Sequence, residues 1–378
     1  MGPKARSLPY VLLLLPFDLI VIGSLLLTET VGVFLRLVHP GTSRFRVPSG
    51  ATATVQILNW DGRHLLEESV PAALEAIRHA GGDHEVVVVD NGSTDGSADF
   101  VRERFPEVRI VPLDCNYRFT GGNNRAVRTS KNDIVVFLNN DMLVDRDFLS
   151  PLLEGFKDPS VFAVTSQVFF WDKTRRREET GKTRARYENG FFTMWHDQIS
   201  EREEHGPPIP VFWGGGGSCA FDRRKYLAIG GLDTLFDPFY LEDTDLSYQA
   251  WKRGWKCLLA PSSHVVHRHR ATNKPRFGER FVDNTIRRNQ YVFIWKNVTE
   301  PRMFLEHLVG LPRTHARLIV AGEAGFEVWA FVRAVGKLPQ ACWARLKSLG
   351  SYTFSDSDVL EMANSNVVNS TDSAETSA

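Results

Sequence analysis

No two cysteines share a metal-binding or redox spacing. The four, Cys115, Cys219, Cys257 and Cys342, are scattered, with no C-x-x-C among them. That excludes a zinc knuckle and a disulfide framework, and a reducing compartment is the simplest reading. An excess of one charge is lacking as well. Lys+Arg and Asp+Glu are both 45 and the formal net charge is +0, so no nucleic acid is expected as a partner, because such binding needs a basic surplus. No internal repeat is present. Long apolar runs are rare, with one exception near the N-terminus.

That exception is LPYVLLLLPFDLIVIGSLLL, Leu8 to Leu27, preceded by Lys4 and Arg6 and followed by VGVFLRLV. About 20 apolar residues are enough to cross a bilayer. Pro16, Asp18 and Glu29 interrupt the run, and a carboxylate at the bilayer centre costs roughly 2.5–3.5 kcal/mol on insertion scales. No small-x-small cleavage site follows, which argues against a removed signal. Residues 1–38 are therefore expected to associate with a membrane, as a spanning or an in-plane helix. A single span with Lys4 and Arg6 on the cytosolic side would put the rest of the chain on the other face.

The full chain of 378 residues is 43% hydrophobic and 24% charged, the balance of a globular protein with a core. HPGTSRFRVPSG, residues 39–50, reads as a linker. From residue 51 strand and helix patterns alternate. ATVQILNW, HEVVVVD, VRIVPL and DIVVFLNND read as strands; HLLEESVPAALEAIRHA and a helix after NGSTDGS lie between them. Alternation of this kind indicates a doubly wound, mostly parallel α/β sheet. In the loop after the second strand, Ser93 and Thr94 are plausible helix caps. DKTRRREETGKTRAR, Asp172 to Arg186, reads as a mobile basic loop. The main globular domain is expected over 51–299. Residues 300–350 read as amphipathic helices for a membrane surface or a cap on the domain; residues 302–350 hold seven Arg or Lys against three Glu. The segment 351–378 has no Lys or Arg and many Ser, Asn and Thr, the composition of a disordered tail.

Three strands end in polar clusters: Asp90 with Asn91-Gly92-Ser93, Asn139-Asn140-Asp141, and the histidines His264, His267 and His269. Glu242, Asp243 and Asp245 gather at a helix start. In open α/β sheets ligands sit beyond the carboxyl ends of the strands, so these groups can converge. Carboxylate with imidazole suits Mn²⁺ or Mg²⁺, with substrate phosphates completing the shell.

Six stretches, VQILNWDGRHLLEESV, EVVVVDNGSTDGS, NYRFTGGNNRAV, VVFLNNDMLVD, GGLDTLFDPFYLEDTDLSYQAWKRGWK and LAPSSHVVHRH, resemble a family 2 glycosyltransferase with the GT-A fold. The resemblance covers roughly residues 52 to 270. It is strongest to the bacterial branch holding rhamnosyltransferases and other enzymes of cell-surface polysaccharide assembly. It implies an inverting transfer of a sugar from a UDP- or dTDP-sugar to a lipid-linked or polysaccharide acceptor, at the cytosolic face of the inner membrane. It implies that Asp90 reads the donor base, with Asn59 and Asn140 beside the nucleotide. Arg118 and the helix start at Gly121, Gly122 and Asn123 would border the diphosphate. Asn139-Asn140-Asp141 stands where the family has its metal-binding D-x-D, with Asn in the first place; Asp141, Asn139 and His267 are the implied metal ligands, His269 the alternative to His267. Asp243 would be the base and Glu242 its partner.

Two rival readings remain at this level. A nucleotidyltransferase shares the nucleotide-binding fold, but its first loop is glycine-rich and basic, and here it reads LNWDGRHLLEE. A degenerate membrane scaffold has Asn139 as its support, while Asp141 and the Glu-Asp pair weigh against it.

Overall fold

The structure is a computed structural model describing residues 3–38, 52–171, 181–268 and 277–365. A long helix α1 (Pro3–Val38) leads. The body then runs β1 (Ala53–Asn59), α2 (Arg63–Ala80), β2 (Glu85–Asp90), α3 (Ser97–Arg104), β3 (Arg109–Pro112), α4 (Arg118–Thr129), β4 (Ile134–Asn139), β5 (Met142–Val144), α5 (Leu149–Gly155) and β6 (Val161–Phe170). It continues through β7 (Thr183–Glu188), β8 (Phe191–His196), α6 (Glu201–Glu204), β9 (Ile209–Pro210), β10 (Ser218–Asp222), α7 (Arg223–Ile229), α8 (Glu242–Lys252) and β11 (Lys256–His267). Five helices close the described chain: α9 (Glu279–Asn297), α10 (Pro301–Leu318), α11 (Ala324–Val335), α12 (Leu338–Leu349) and α13 (Asp356–Asn364).

The main sheet has the order β3-β2-β1-β4-β10-β6-β11-β5, with β9 beside β11. The first four strands are parallel. They read as unbroken Val, Ile and Leu because both faces are covered. On one face Leu66 and Val70 of α2 pack with Val55, Ile57 and Val88. On the other, Ala126 of α4 packs with Val87, Val89 and Val111. The sheet is doubly wound, as expected. Its strand order reverses between β1 and β4, which places the switch point of the fold at Asn59 and Asn139.

Beyond β4 the strands turn antiparallel. β10 runs between β4 and β6 against both, and β11 is parallel to β6. β5 pairs antiparallel with the end of β11, in the register His267 opposite Met142. This pairing carries a residue from late in the chain to the end of β4.

Two expectations change here. Residues 172–180 of the basic loop lie outside the described residues, but Thr183 to Glu188 form a strand paired with β8. Arg184 is buried and donates to the carbonyls of Pro210 and Ala363, so this end of the segment is part of the body. The tail expectation from residue 351 also fails at its start. Ser355 and Asp358 form a capping box that begins α13, and the helix is held by Asp356. That buried carboxylate accepts from Lys252 Nζ at 2.8 Å and from the Thr299 and Glu300 amides at 2.7 and 2.6 Å. Residues 366–378 and the linker 39–50 lie outside the described residues.

The helix α1 packs on α10, α11 and α12. Its interrupting carboxylates face the protein. Asp18 is buried 3.1 Å from His315, and Glu29 accepts from Arg345 Nε at 2.7 Å. Its outer face exposes Leu19, Leu27 and Phe34 at 62, 66 and 67%. Leu13–Phe34 is the one helical stretch among the described residues long and apolar enough to cross a membrane.

Candidate active site

The switch point gathers the residues expected on the donor side. Asn59 ends β1 and is fully buried. Its Oδ1 accepts from Asn140 Nδ2 at 2.8 Å and its Nδ2 donates to Ser93 Oγ at 3.2 Å. Asp90, at the end of β2, accepts from the Ser93 amide at 3.0 Å. Asn59, Asp90 and Asn140 therefore meet at one strand edge, joined through Ser93. Helix α3 begins only at Ser97, after Gly96 in the left-handed region. Ser93 and Thr94 thus hold the loop after β1, where Ser93 Oγ accepts from the Asp61 amide and the Thr94 amide donates to Asp61, rather than capping the helix.

The helix near the expected diphosphate site starts at Arg118, three residues before the glycines. Arg118 takes φ 59°, and its guanidinium reaches Asp237 at 3.5 Å. Gly121, Gly122 and Asn123 are buried within α4, which alters their expected place at the helix mouth. A Cβ on Gly122 would stand 2.7 Å from Leu58 Cδ1, so glycine there lets α4 lie close on β1. Asn123 Oδ1 accepts from Gln56 at 2.7 Å and its Nδ2 donates to the Phe119 carbonyl. Its amide is committed to packing, and Arg118 remains the charged group at that edge.

On the other side of the switch point Asp141 and His267 come together, Nε2 to Oδ2 at 3.4 Å. The β5–β11 register makes this pair, reinforced by the Arg268 amide donating to the Asp141 carbonyl at 2.8 Å. His264, three residues earlier, instead faces Asp145 at 3.5 Å and the ring of Phe169. His269 lies outside the described residues. Asp141 is nine-tenths buried, and its Oδ1 accepts no hydrogen bond among the described residues. A buried carboxylate oxygen without a donor is costly unless a ligand satisfies it. One carboxylate and one imidazole fit a Mg²⁺ or Mn²⁺ ion that takes its other ligands from water and phosphate. No cluster of three or more His, Cys, Asp or Glu suited to a metal occurs among the described residues.

Glu242 and Asp243 open α8, after Tyr240 and Leu241, both at φ 71°. Asn289 fixes that strained turn by donating to the carbonyls of Phe236, Phe239 and Tyr240. Asp243 accepts from the Thr244 amide at 2.7 Å and from the Gly216 amide at 3.1 Å, so both oxygens are oriented. Glu242 Oε2 is buried with no hydrogen-bond partner among the described residues. Burial, then the Asp243 charge, pushes the Glu242 carboxyl up to about 8. Burial raises Asp243 too. Asp245 belongs to the framework: Lys296 and Asn297 each reach it at 2.7 Å.

The glycine run links the two halves. Gly216 donates to Asp243, and the Gly217 carbonyl accepts from the Asn139 amide at 2.9 Å. A Cβ on Gly217 would meet Met142 Cε at 2.6 Å and Asn139 Nδ2 at 3.0 Å. Gly216 and Gly217 are glycine because the end of β4 and the start of α8 approach each other through them. Asp237, 3.5 Å from Arg118, borders the candidate site, and sequence reading passed over it because an Asp before Pro reads as a turn. Burial raises its carboxyl as well, and its charge also acts on Glu242.

Residues 63–226 match the family model for glycosyl transferase family 2. Over 212 residues the chain is 26% identical to an N-acetylglucosaminyl-diphospho-decaprenol L-rhamnosyltransferase of Mycobacterium tuberculosis, covering 49% of this chain and 66% of that protein. Over 238 residues it is 24% identical to the O-antigen biosynthesis protein RfbC of Myxococcus xanthus, covering 61% of this chain and 18% of that protein. The chain thus spans less than two thirds of the length of these relatives. A mannosyltransferase from Pyrobaculum calidifontis, solved with GDP-Man and Mn²⁺, aligns at TM-score 0.48 and 19% identity over 93% of this chain and 97% of that one. The matched segment, less than half of the chain, lies at the centre of the doubly wound sheet, and over it the chain is similar to glycosyl transferase family 2.

Proposed function

We propose that the protein is an inverting, metal-assisted glycosyltransferase. It moves a sugar from a UDP- or dTDP-sugar to a hydroxyl of a lipid-linked or polysaccharide acceptor used in cell-surface glycan synthesis. The observation that carries this reading is the Gly216–Gly217 bridge, with Asp141 and His267 near one end and Asp243 at the other.

In this reading Asn59, Asp90 and Asn140 hold the base and ribose side of the donor, and Arg118 neutralises diphosphate charge. Asp141, His267 and the Asn139 amide oxygen would hold Mg²⁺ or Mn²⁺, which supplies electrostatic stabilisation of the leaving diphosphate. Asp243, fixed by two backbone amides, takes the proton of the acceptor hydroxyl as the new bond forms. Glu242, neutral through much of the physiological range, donates a hydrogen bond without competing for that proton. The rhamnosyltransferase relative, which acts on a diphospho-decaprenol, supports a lipid-linked acceptor. The membrane seat is α1 together with α10–α12, lying in the plane of the inner membrane with the catalytic domain in the cytosol. Glu29–Arg345 and Asp18–His315 bind α1 to helices that are not long and apolar enough to cross a bilayer, which favours in-plane over spanning.

The test is product formation by the purified full chain with UDP-, dTDP-, GDP- and CDP-sugars, Mn²⁺ and a polyprenyl-diphosphate-sugar acceptor, read by mass spectrometry. Transfer from one uridine or thymidine donor, lost in Asp243→Asn while donor binding persists, is expected. Release of pyrophosphate from a nucleoside triphosphate, with no sugar transfer, would replace this reading with a nucleotidyltransferase.

A further inference from the structure

Two adjoining cavities of about 590 and 540 Å³ lie where α9 meets α11, and both are lined by Arg280, Gly325 and Phe326. These volumes fall in the range of about 300–1,000 Å³ typical of ligand clefts. The second cavity is walled by aromatic rings, Phe277, Phe281 and Trp329, which are 43, 39 and 58% exposed. Large apolar side chains turned toward open space around a cleft mark a binding surface rather than a core.

The cleft is built, not incidental. Asn284 of α9 donates to the Phe326 carbonyl at 2.9 Å and accepts from Arg333 of α11 at 2.8 Å. The Arg333 guanidinium lies 5.3 Å from the Phe281 ring and 5.7 Å from the Trp329 ring. Arg280 and Arg333 thus put two cations against an aromatic wall. Glu279 and Arg280 line both cavities and Asp283 only the first, while Arg333 stands against the aromatic rings of the second.

The same wall backs on the catalytic turn. Phe239 packs on Phe277 at 5.4 Å and on Phe281 at 6.3 Å between ring centroids, and three residues later the chain reaches Glu242. On its other side α11 packs against α1, the most apolar surface of the molecule. The cleft therefore joins the acidic pair to the apolar helices.

We propose that this cleft seats the lipid part of the acceptor, a polyisoprenoid phosphate or diphosphate. Its chain lies over Phe277, Phe281 and Trp329, and its phosphate faces Arg280 and Arg333. The assignment rests on the transferase reading for its purpose, but its binding test does not depend on turnover.

Gly325 supplies the decisive variant. A Cβ there meets only Arg280 Nη2, at 3.9 Å. Gly325→Leu puts bulk into the cleft while improving helix propensity, so it blocks without unfolding. The probe is a dansyl-labelled farnesyl diphosphate, titrated into the full chain in nonionic detergent and read by anisotropy. Saturable binding is expected in the wild type, at least tenfold weaker in Gly325→Leu and in Trp329→Ala, and unchanged in Asp141→Ala. Inorganic diphosphate should not compete, which separates lipid recognition from a plain anion site. Absence of saturable binding by the wild type, equal binding by Gly325→Leu, or full competition by inorganic diphosphate would overturn the assignment. If the probe binds as expected and no donor sugar is ever transferred, the reaction assignment fails and the lipid seat stands. If sugar reaches a lipid acceptor with the same KM in Gly325→Leu, the seat fails and the reaction stands.

Discussion

His267 Nε2 stands 3.4 Å from Asp141 Oδ2, beside a buried Asp141 oxygen that accepts no hydrogen bond among the described residues. The pair exists because β5 and β11 run antiparallel with His267 opposite Met142. In a thermal-shift titration with Mn²⁺, donor at ~100 times its Kd should stabilise the wild type by about 2.7 kcal/mol. Asp141→Ala should show no more shift with Mn²⁺ than without it. An undiminished Mn²⁺-dependent shift in that variant would place the metal elsewhere.

The Glu242–Asp243 pair predicts how activity follows pH. Asp243 works as a base only when ionised, and its neighbour at about 8 makes the pair reluctant to lose its protons. The rate should climb from acid toward pH 8. Glu242→Gln keeps the neutral form that Glu242 holds below about 8, so the ascending limb set by Asp243 should stay in place even if the maximum falls. Asp243→Asn should lower kcat by about 10²–10⁴-fold, the usual worth of a general base. Profiles of kcat/KM for the three proteins decide it, and a limb moved to lower pH in Glu242→Gln would show Glu242 charged where Asp243 titrates.

Glu242 also predicts a stability trend. Its folded-state value lies above the unfolded one, so its contribution is full below about 4.5 and is lost as pH rises toward about 8. Glu242→Gln cannot ionise and should escape that loss. Relative to wild type, the variant should melt higher at pH 9 than at pH 5. Parallel melting curves at both pH values would contradict the burial assigned to this side chain.

Asp356 ties α13 to α8, the helix that carries the acidic pair. Lys252 is buried against it. Asp356→Ala would strand that ammonium group, and breaking one side of a buried pair costs about 3–5 kcal/mol. Chemical denaturation should show a lower midpoint with an unchanged slope. Truncation before residue 351 should do at least as much, whereas removal of residues 366–378 is expected to be neutral.

The membrane seat has its own test. Cys115 is exposed on the catalytic domain and serves as a native reporter of its side. With Arg6→Cys and Arg36→Cys added singly, a membrane-impermeant maleimide should label both ends of α1 from the side that labels Cys115. Protection of one end would mean that α1 spans.

Much of the architecture was legible in the residues. The Val- and Ile-rich runs of β1, β2 and β4 could only be strands covered on both faces, and the polar ends Asn59, Asp90 and Asn139 marked the edge where a ligand would sit. Glu242-Asp243 after FYL was equally visible. These features are local: a periodicity of apolar residues, or a polar residue that stops one. The tail was misread because composition alone speaks for disorder, while the Ser355–Asp358 capping box and the partner of Asp356 come from a helix far away in sequence.

The sequence by itself determined which elements form and which residue types end them, because propensity, periodicity and turn chemistry act over a few neighbouring residues. Only the tertiary structure decided which histidine meets Asp141, since that choice depends on strand register, where a shift of one residue turns every side chain to the other face. It likewise decided that Asn123 of α4 packs against Gln56 of β1, that Asp245 belongs to Lys296, and that Asp18 and Glu29 turn inward to His315 and Arg345. Each is a contact between segments far apart in the chain, made because a buried charge or amide must find its partner.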